Sequence, residues 1–446
     1  MRKIEKAPIS KENRSSAIDK GISLIVRRDI KELLNSINDE YLYWDKIKYK
    51  KIPEDINHED LWSAIKISRS LHSKTVQFGS YEFNYNITDA TQLILHNFDL
   101  NIGGQLGSIG LIPEDDKKQY LISSIMEEAI ASSQIEGAVT TRKEAKEMLR
   151  KNKKPRTKSE QMILNNYFTI KHILDIQNQA LTIEILLEVH RLISNQTLDE
   201  GSDEGKFRET NDVKVVDAID GEIVHVPPSY EEIPVLMKDL CNFFNHDDNT
   251  QFIHPIIKGC IIHFMIGFIH PFVDGNGRTA RALFYWYLLS KGYWLTEYLS
   301  ISRLIVRTKT QYARAYIYSE QDDNDLTYFI KYKLKTMTLA YDSLRRYMQR
   351  KISEKKKLVE FQKLKGVNER QAQIIKWIYE EGDLLLYTKE VETRLNISNQ
   401  TARVDLNGLV KLGYLEEIDV NKKQKAFCKS DDFDSLIESP IKLTFN

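Results

Sequence analysis

Residues 256 to 269 read Ile-Ile-Lys-Gly-Cys-Ile-Ile-His-Phe-Met-Ile-Gly-Phe-Ile, apolar on every side at helical periodicity. A helix of that kind has no face to show to water, so other helices must enclose it. The stretch predicts a mainly helical protein built around one buried helix. No uninterrupted apolar segment approaches the length, about 20 residues, that spans a bilayer. The central helix runs into His270-Pro271-Phe272-Val273-Asp274-Gly275-Asn276-Gly277-Arg278-Thr279-Ala280-Arg281, and a second helical run, Ala282 to Leu289, leads away.

That loop gathers groups suited to one ligand. Gly275 and Gly277 let the backbone approach an anion closely and adopt dihedrals closed to other residues. The N-terminus of the following helix offers unpaired N–H groups and the positive end of a dipole. Arg278 and Arg281, three apart, can reach the same polyphosphate as bidentate forks. Asp274 supplies a hard oxygen ligand of the kind Mg²⁺ takes while sharing phosphate oxygens. His270 can serve as a general base with a pKa near working pH.

The twelve residues resemble the signature of Fic-domain proteins, His-Pro-Phe-x-(Asp/Glu)-Gly-Asn-Gly-Arg-x-x-Arg, at every specified position. Members are mostly protein adenylyltransferases, which move AMP from ATP to a protein hydroxyl. The resemblance implies that His270 deprotonates a target Tyr, Thr or Ser hydroxyl and that Asp274 holds Mg²⁺ between the α- and β-phosphates. It assigns the α-phosphate to Asn276 and the amides around Gly275, Gly277 and Thr279. It assigns the β-phosphate to Arg278 and the γ-phosphate to Arg281. A branch of the family that phosphorylates its target carries Ala and Lys in the second half of the loop; Gly277 and Arg278 favour nucleotidyl transfer here. Relatives often dimerise through this core, and self-modification joins an unknown target protein among the expected partners.

Upstream stands Ser132-Ser133-Gln134-Ile135-Glu136-Gly137, at the end of a run with Ile122, Ile125, Met126, Ala129 and Ile130 at helical spacing. Taken alone, Glu136 reads as an exposed glutamate beside a C-cap glycine. The segment also resembles the family's inhibitory motif, (Ser/Thr)-x-x-x-Glu-(Gly/Asn), matched by Ser132, Glu136 and Gly137. That resemblance implies a carboxylate on Arg281 that competes with the γ-phosphate and restrains turnover. Two further readings stay open: removal of AMP, with Glu136 orienting a water, and a nucleotide-sensing regulator that binds DNA.

The chain has 446 residues, with 64 Lys plus Arg balanced by 64 Asp plus Glu. Zero net charge gives no global pull toward nucleic acid or membrane. Cys241, Cys260 and Cys428 lie far apart in apolar or strand-like settings and read as reduced packing residues, the pattern of a cytoplasmic protein. The spacing of His254, His263 and His270 puts no pair on one helical turn, which argues against zinc; His263 reads as a satisfied core histidine.

Residues 1–110 read as a helical domain, with Gly79 to Ile87 as a strand or extended loop and a Gly-Gly linker ending at Pro113. The catalytic core is expected over 111–350. Within it, Gly205-Lys206-Phe207-Arg208 resembles the step that precedes the family's substrate flap. The flap itself is expected as a hairpin, Val213 to Val216 and Ile223 to Val226, turning at Asp220-Gly221. Its edge, carrying Val213, Val215, Ile223, Val224 and His225, can pair with a target strand. Tyr312 and Tyr316 resemble residues bordering the adenine pocket, or are core packing; Ser319 stands where many relatives carry asparagine, so the base-side contacts are open. Leu326 to Leu344 closes the core, and Arg345 to Lys365 reads as a charged connector helix. Residues 366–446 resemble a winged helix-turn-helix, with Ser398 as N-cap of a recognition helix facing Gln400, Thr401 and Arg403 outward and a wing bearing Lys422, Lys423 and Lys425. DNA contact, dimerisation and target docking all remain open for it.

Overall fold

The computed structural model describes residues 4–8, 14–103, 114–216, 221–247, 251–381, 384–421 and 424–441. The expected linker over 104–113, Asp220 of the flap turn, and Lys422 and Lys423 of the wing lie outside the described residues. Residues 1–344 form one compact unit and residues 345–446 another.

In the first unit the central helix runs Pro255–Ile269, and all but two of its residues, Pro255 and Gly267, are buried. Pro255 opens it and the His254 side chain caps it, accepting from the Ile256 N–H. Its one charge, Lys258, escapes the apolar surroundings by donating to the His246 carbonyl at 2.6 Å and Asp247 at 2.8 Å. The helix Asn276–Ser290 packs along it, and Gly259 allows the approach, since a Cβ there would lie 3.3 Å from the Tyr287 ring. Ile233–Asn245, Lys309–Gln321 and the start of Thr327–Gln362 also cover the central helix, and Glu114–Ile135, Lys158–Ile176 and Ile183–Ser194 pack on Asn276–Ser290. A second cluster holds the N-terminal helices, where Tyr43 stacks on Tyr318 and Trp62 packs edge-on.

Several elements differ from expectation. The segment around Gly79 is a full hairpin, Lys74–Phe78 with Tyr81–Tyr85, burying Val76, Phe78, Phe83 and Tyr85; Gly79, at φ +53°, makes its turn. The helix Arg142–Arg150, too polar to announce itself by apolar periodicity, is fixed by a capping box between Thr141 and Glu144. The flap is shorter than expected, Val215–Val216 paired with Ile223–His225, so Val213 precedes the strand. Core end and connector are one helix, Thr327–Gln362, because no Gly or Pro interrupts that stretch. Among the described residues no helix is long and apolar enough to cross a membrane.

The second unit has its own core, including Ile374, Ile378, Leu406, Leu409 and Phe427. Helices Glu369–Glu380, Thr388–Leu395 and Asn399–Lys411 precede an antiparallel pair, Leu415–Asn421 with Gln424–Lys429. Ser398 caps the third helix by accepting from the Thr401 N–H. Gln400 and Arg403 are exposed, whereas the Thr401 hydroxyl is engaged with Ser398, and Lys425 pairs with Glu417. A closing helix, Phe433–Ile441, was not foreseen.

Candidate active site

The central helix ends at His270, whose backbone is left-handed at φ 50°. A non-glycine residue held there needs support, and Arg208 gives it. The Arg208 Nε donates to the His270 carbonyl at 2.9 Å, and its N–H donates to the Pro271 carbonyl at 2.9 Å. The same guanidinium donates to the carbonyls of Thr210 and Pro228, at the two ends of the flap. The His270 Nδ1 lies 3.1 Å from the Gly267 carbonyl, an acceptor, so Nδ1 carries the proton and Nε2 is the basic nitrogen. Burial lowers the His270 pKa, which keeps the ring neutral near neutrality.

His190, absent from the sequence expectations, shapes the loop. It stacks on Phe272 with ring centroids 3.7 Å apart, its Nε2 donates to the Asp274 carbonyl at 2.9 Å, and its Nδ1 accepts from the Gly205 N–H at 3.1 Å. Burial drives its pKa down to about 4. Nothing in the apolar pattern of its helix distinguishes it from a packed core histidine.

Within the loop, Gly275 adopts φ +86° and opens the following helix. Gly277 does not have a left-handed backbone, contrary to expectation; its missing side chain matters for space. A Cβ on Gly277 would overlap the Glu136 carboxylate and lie 3.2 Å from Arg281 Nη1. Glu136 therefore sits over the first turn of the helix, where an anion would be bound. Arg281 donates to Glu136 Oε1 at 2.8 Å, to the Ser132 hydroxyl at 2.8 Å and to the Ser132 carbonyl at 2.9 Å. Its Nη1 is buried without a partner among the described residues. Gly137, at φ +95°, follows Glu136 just past the end of the helix Glu114–Ile135.

Other members of the expected set point elsewhere. Asn276 is buried and closes the loop on itself, accepting from the Phe272 N–H and donating to the Phe272 carbonyl. Arg278 is buried, donating to the Ile193 carbonyl at 3.0 Å, with Asp274 at 3.4 Å. Thr279 is buried, its hydroxyl without a partner among the described residues. Asp274 is half exposed beside the loop. Tyr312 hydrogen-bonds His263 Nε2 at 2.7 Å, while His263 Nδ1 has no partner among the described residues. Ser319 is buried, its hydroxyl without a partner among the described residues.

A profile of the Fic/DOC family matches residues 180–288. The chain carries a Fic domain. A DeoR-like helix-turn-helix profile matches residues 370–418. Over 118 residues the chain is 32% identical to the protein adenylyltransferase Fic of Drosophila virilis, covering 26% of this chain and 22% of that protein. The corresponding protein of Drosophila willistoni is 33% identical over 118 residues, with the same coverage. The chain thus spans about a fifth of the length of these curated relatives. A Fic family protein from Desulfovibrio desulfuricans shares the fold at a TM-score of 0.50 and 24% identity, covering 78% of this chain and 98% of that one. The Fic domain thus contains the central helix, the loop, His190 and Arg208, whereas Glu136 precedes the matched residues.

Proposed function

We propose that this chain is a protein adenylyltransferase held in check by its own Glu136. The observation that carries the reading is the Glu136 carboxylate lying on Arg281 above Gly277, in an anion cradle at the end of the loop that begins with His270. When ATP displaces it, Arg281 and the helix N-terminus receive phosphate oxygens. A target hydroxyl oxygen then attacks the α-phosphorus; its P–O bond forms as the bond to the β-phosphate oxygen breaks, pyrophosphate leaves, and the hydroxyl proton passes to His270 Nε2. The closed arrangement gives Arg278 and Asn276 the task of shaping the loop, and leaves direct phosphate contact to Arg281, the amides and Gly277.

One half-exposed carboxylate, Asp274, fits a Mg²⁺ that takes its other ligands from water and phosphate. Among the described residues no cluster of three His, Cys, Asp or Glu offers a protein cage. A metal bound there would neutralise phosphate charge.

Flap residues Val215, Ile223 and Val224 would pair with the target strand. The same placement of Glu136 beside His270 also serves a second reading, removal of AMP, with the carboxylate orienting a water. Incubation of the wild-type and Glu136→Gly chains with labelled ATP and with an AMP-modified target separates the two. Transfer predicts more label on the variant; removal predicts loss of AMP with the wild type alone.

A further inference from the structure

The flap is tied to the core by one histidine whose two nitrogens both meet acceptors. His225 Nδ1 lies 2.7 Å from Glu320 Oε2, and Nε2 lies 2.7 Å from the Phe268 carbonyl. A neutral imidazole has one N–H and cannot donate to both. The pair therefore holds an additional proton between His225 and Glu320. Phe268 lies in the last turn of the central helix, where carbonyls lack an intrahelical partner and a positive charge is favoured. The His225 ring also packs on the Phe268 ring at 5.3 Å. Two residues further along the chain is His270. The outer flap residues Val216 and Ile223 are exposed, and while Arg208 holds the two ends of the flap, this clasp holds the strand Ile223–His225 from beneath.

We propose that His225 is a positioning residue: its imidazolium, gripped by Glu320 and the Phe268 carbonyl, pins the flap strand at a set height over His270. The inference rests on the transferase reading, in which the flap carries the target backbone. The groups acting on His225 are Glu320, on the helix Lys309–Gln321, and His270, at the end of the central helix. Burial opposes the charge, and the Glu320 hydrogen bond and charge outweigh it, so the His225 pKa is raised. The clasp is complete below the ordinary imidazole pKa and is lost as pH rises through the raised value. The same charge disfavours a proton on His270 and keeps that base free.

The test is trypsin cleavage of the full-length protein after Lys214, an exposed residue at the flap base, followed across pH. The wild type should show slow cutting at low pH and a step to faster cutting as His225 loses its proton. His225→Asn and Glu320→Gln should each cut about tenfold faster at low pH and lack the step. In the Glu136→Gly background, His225→Asn should lower transfer to protein while ATP affinity stays within about twofold. Wild-type cutting rates without a pH step, or Glu320→Gln and His225→Asn rates equal to wild type throughout, would overturn the proposal. A pH step in a protein whose Glu136→Gly form takes no label supports the clasp and sinks the transferase reading instead.

Discussion

Burial costs His270 its charge before any substrate arrives, because the carbonyl of Gly267 holds one nitrogen and the surroundings disfavour a second proton. His270 is therefore neutral, as the proposed base must be, down to below the ordinary histidine pKa. On the acid side, transfer by the Glu136→Gly chain should hold through the ordinary histidine pKa and fall as pH drops through that lowered value, whereas loss of the His225 clasp lowers it on the alkaline side. His270→Ala should remove about 10²–10⁴-fold of the rate while calorimetry still detects ATP binding. At Gly277 a methyl group would displace Glu136 but fill the same cradle. Gly277→Ala should thus weaken ATP binding about tenfold or more even in the Glu136→Gly background. His270 and Arg281 stand out in the sequence because residue type and spacing together suit a phosphate site, whereas Glu136 stands out only through the resemblance to the family's inhibitory motif. The direction of Arg278 was not: its partner, the Ile193 carbonyl, comes from a distant helix, and no local pattern encodes it.

The helix Glu114–Ile135, to which the proposed function gives the restraint on Arg281, is seated at more than one place. Glu128, on one face of the helix with Ser132, is half-buried and accepts hydrogen bonds from the Ser302 N–H and hydroxyl. Lys309 donates to the carbonyls of Gln134 at 2.8 Å and Ile135 at 3.2 Å, satisfying the helix C-terminus next to Glu136. Lys309→Met should leave the fold intact, since the side chain is exposed, and raise basal label incorporation by less than Glu136→Gly does. The two changes together should match Glu136→Gly alone, because both act through one contact. The amphipathic helices were readable from their periods. Arg142–Arg150 was not, because its signal lies in a capping box rather than an apolar stripe, and the pairing of Lys74–Phe78 with Tyr81–Tyr85 hangs on a single turn glycine.

At the scale of the whole molecule, the second unit folds around its own core, so a chain ending near residue 366 should keep the activity of the first unit. Asp405 is buried under Arg370 at 2.6 Å and Asn368 at 3.0 Å. Because the Arg370 left behind is solvent-exposed, Asp405→Ala should lower the stability of this unit by about 1–3 kcal/mol, seen by calorimetry as a separate, earlier transition. If the exposed Gln400 and Arg403 face DNA, binding should weaken steeply with salt and vanish on deleting the unit. The helix-turn-helix order and its Ser398 cap were plain in the sequence; its partner is not, because acid and base alternate along the wing. Everything proposed for the first unit turns on Glu136 withholding Arg281 from ATP. Mass spectrometry of the intact chain and of lysate proteins, after incubation with ATP and Mg²⁺, tests this directly. The account predicts adenylyl adducts with Glu136→Gly and few with wild type; an equal absence of adducts from both would contradict it.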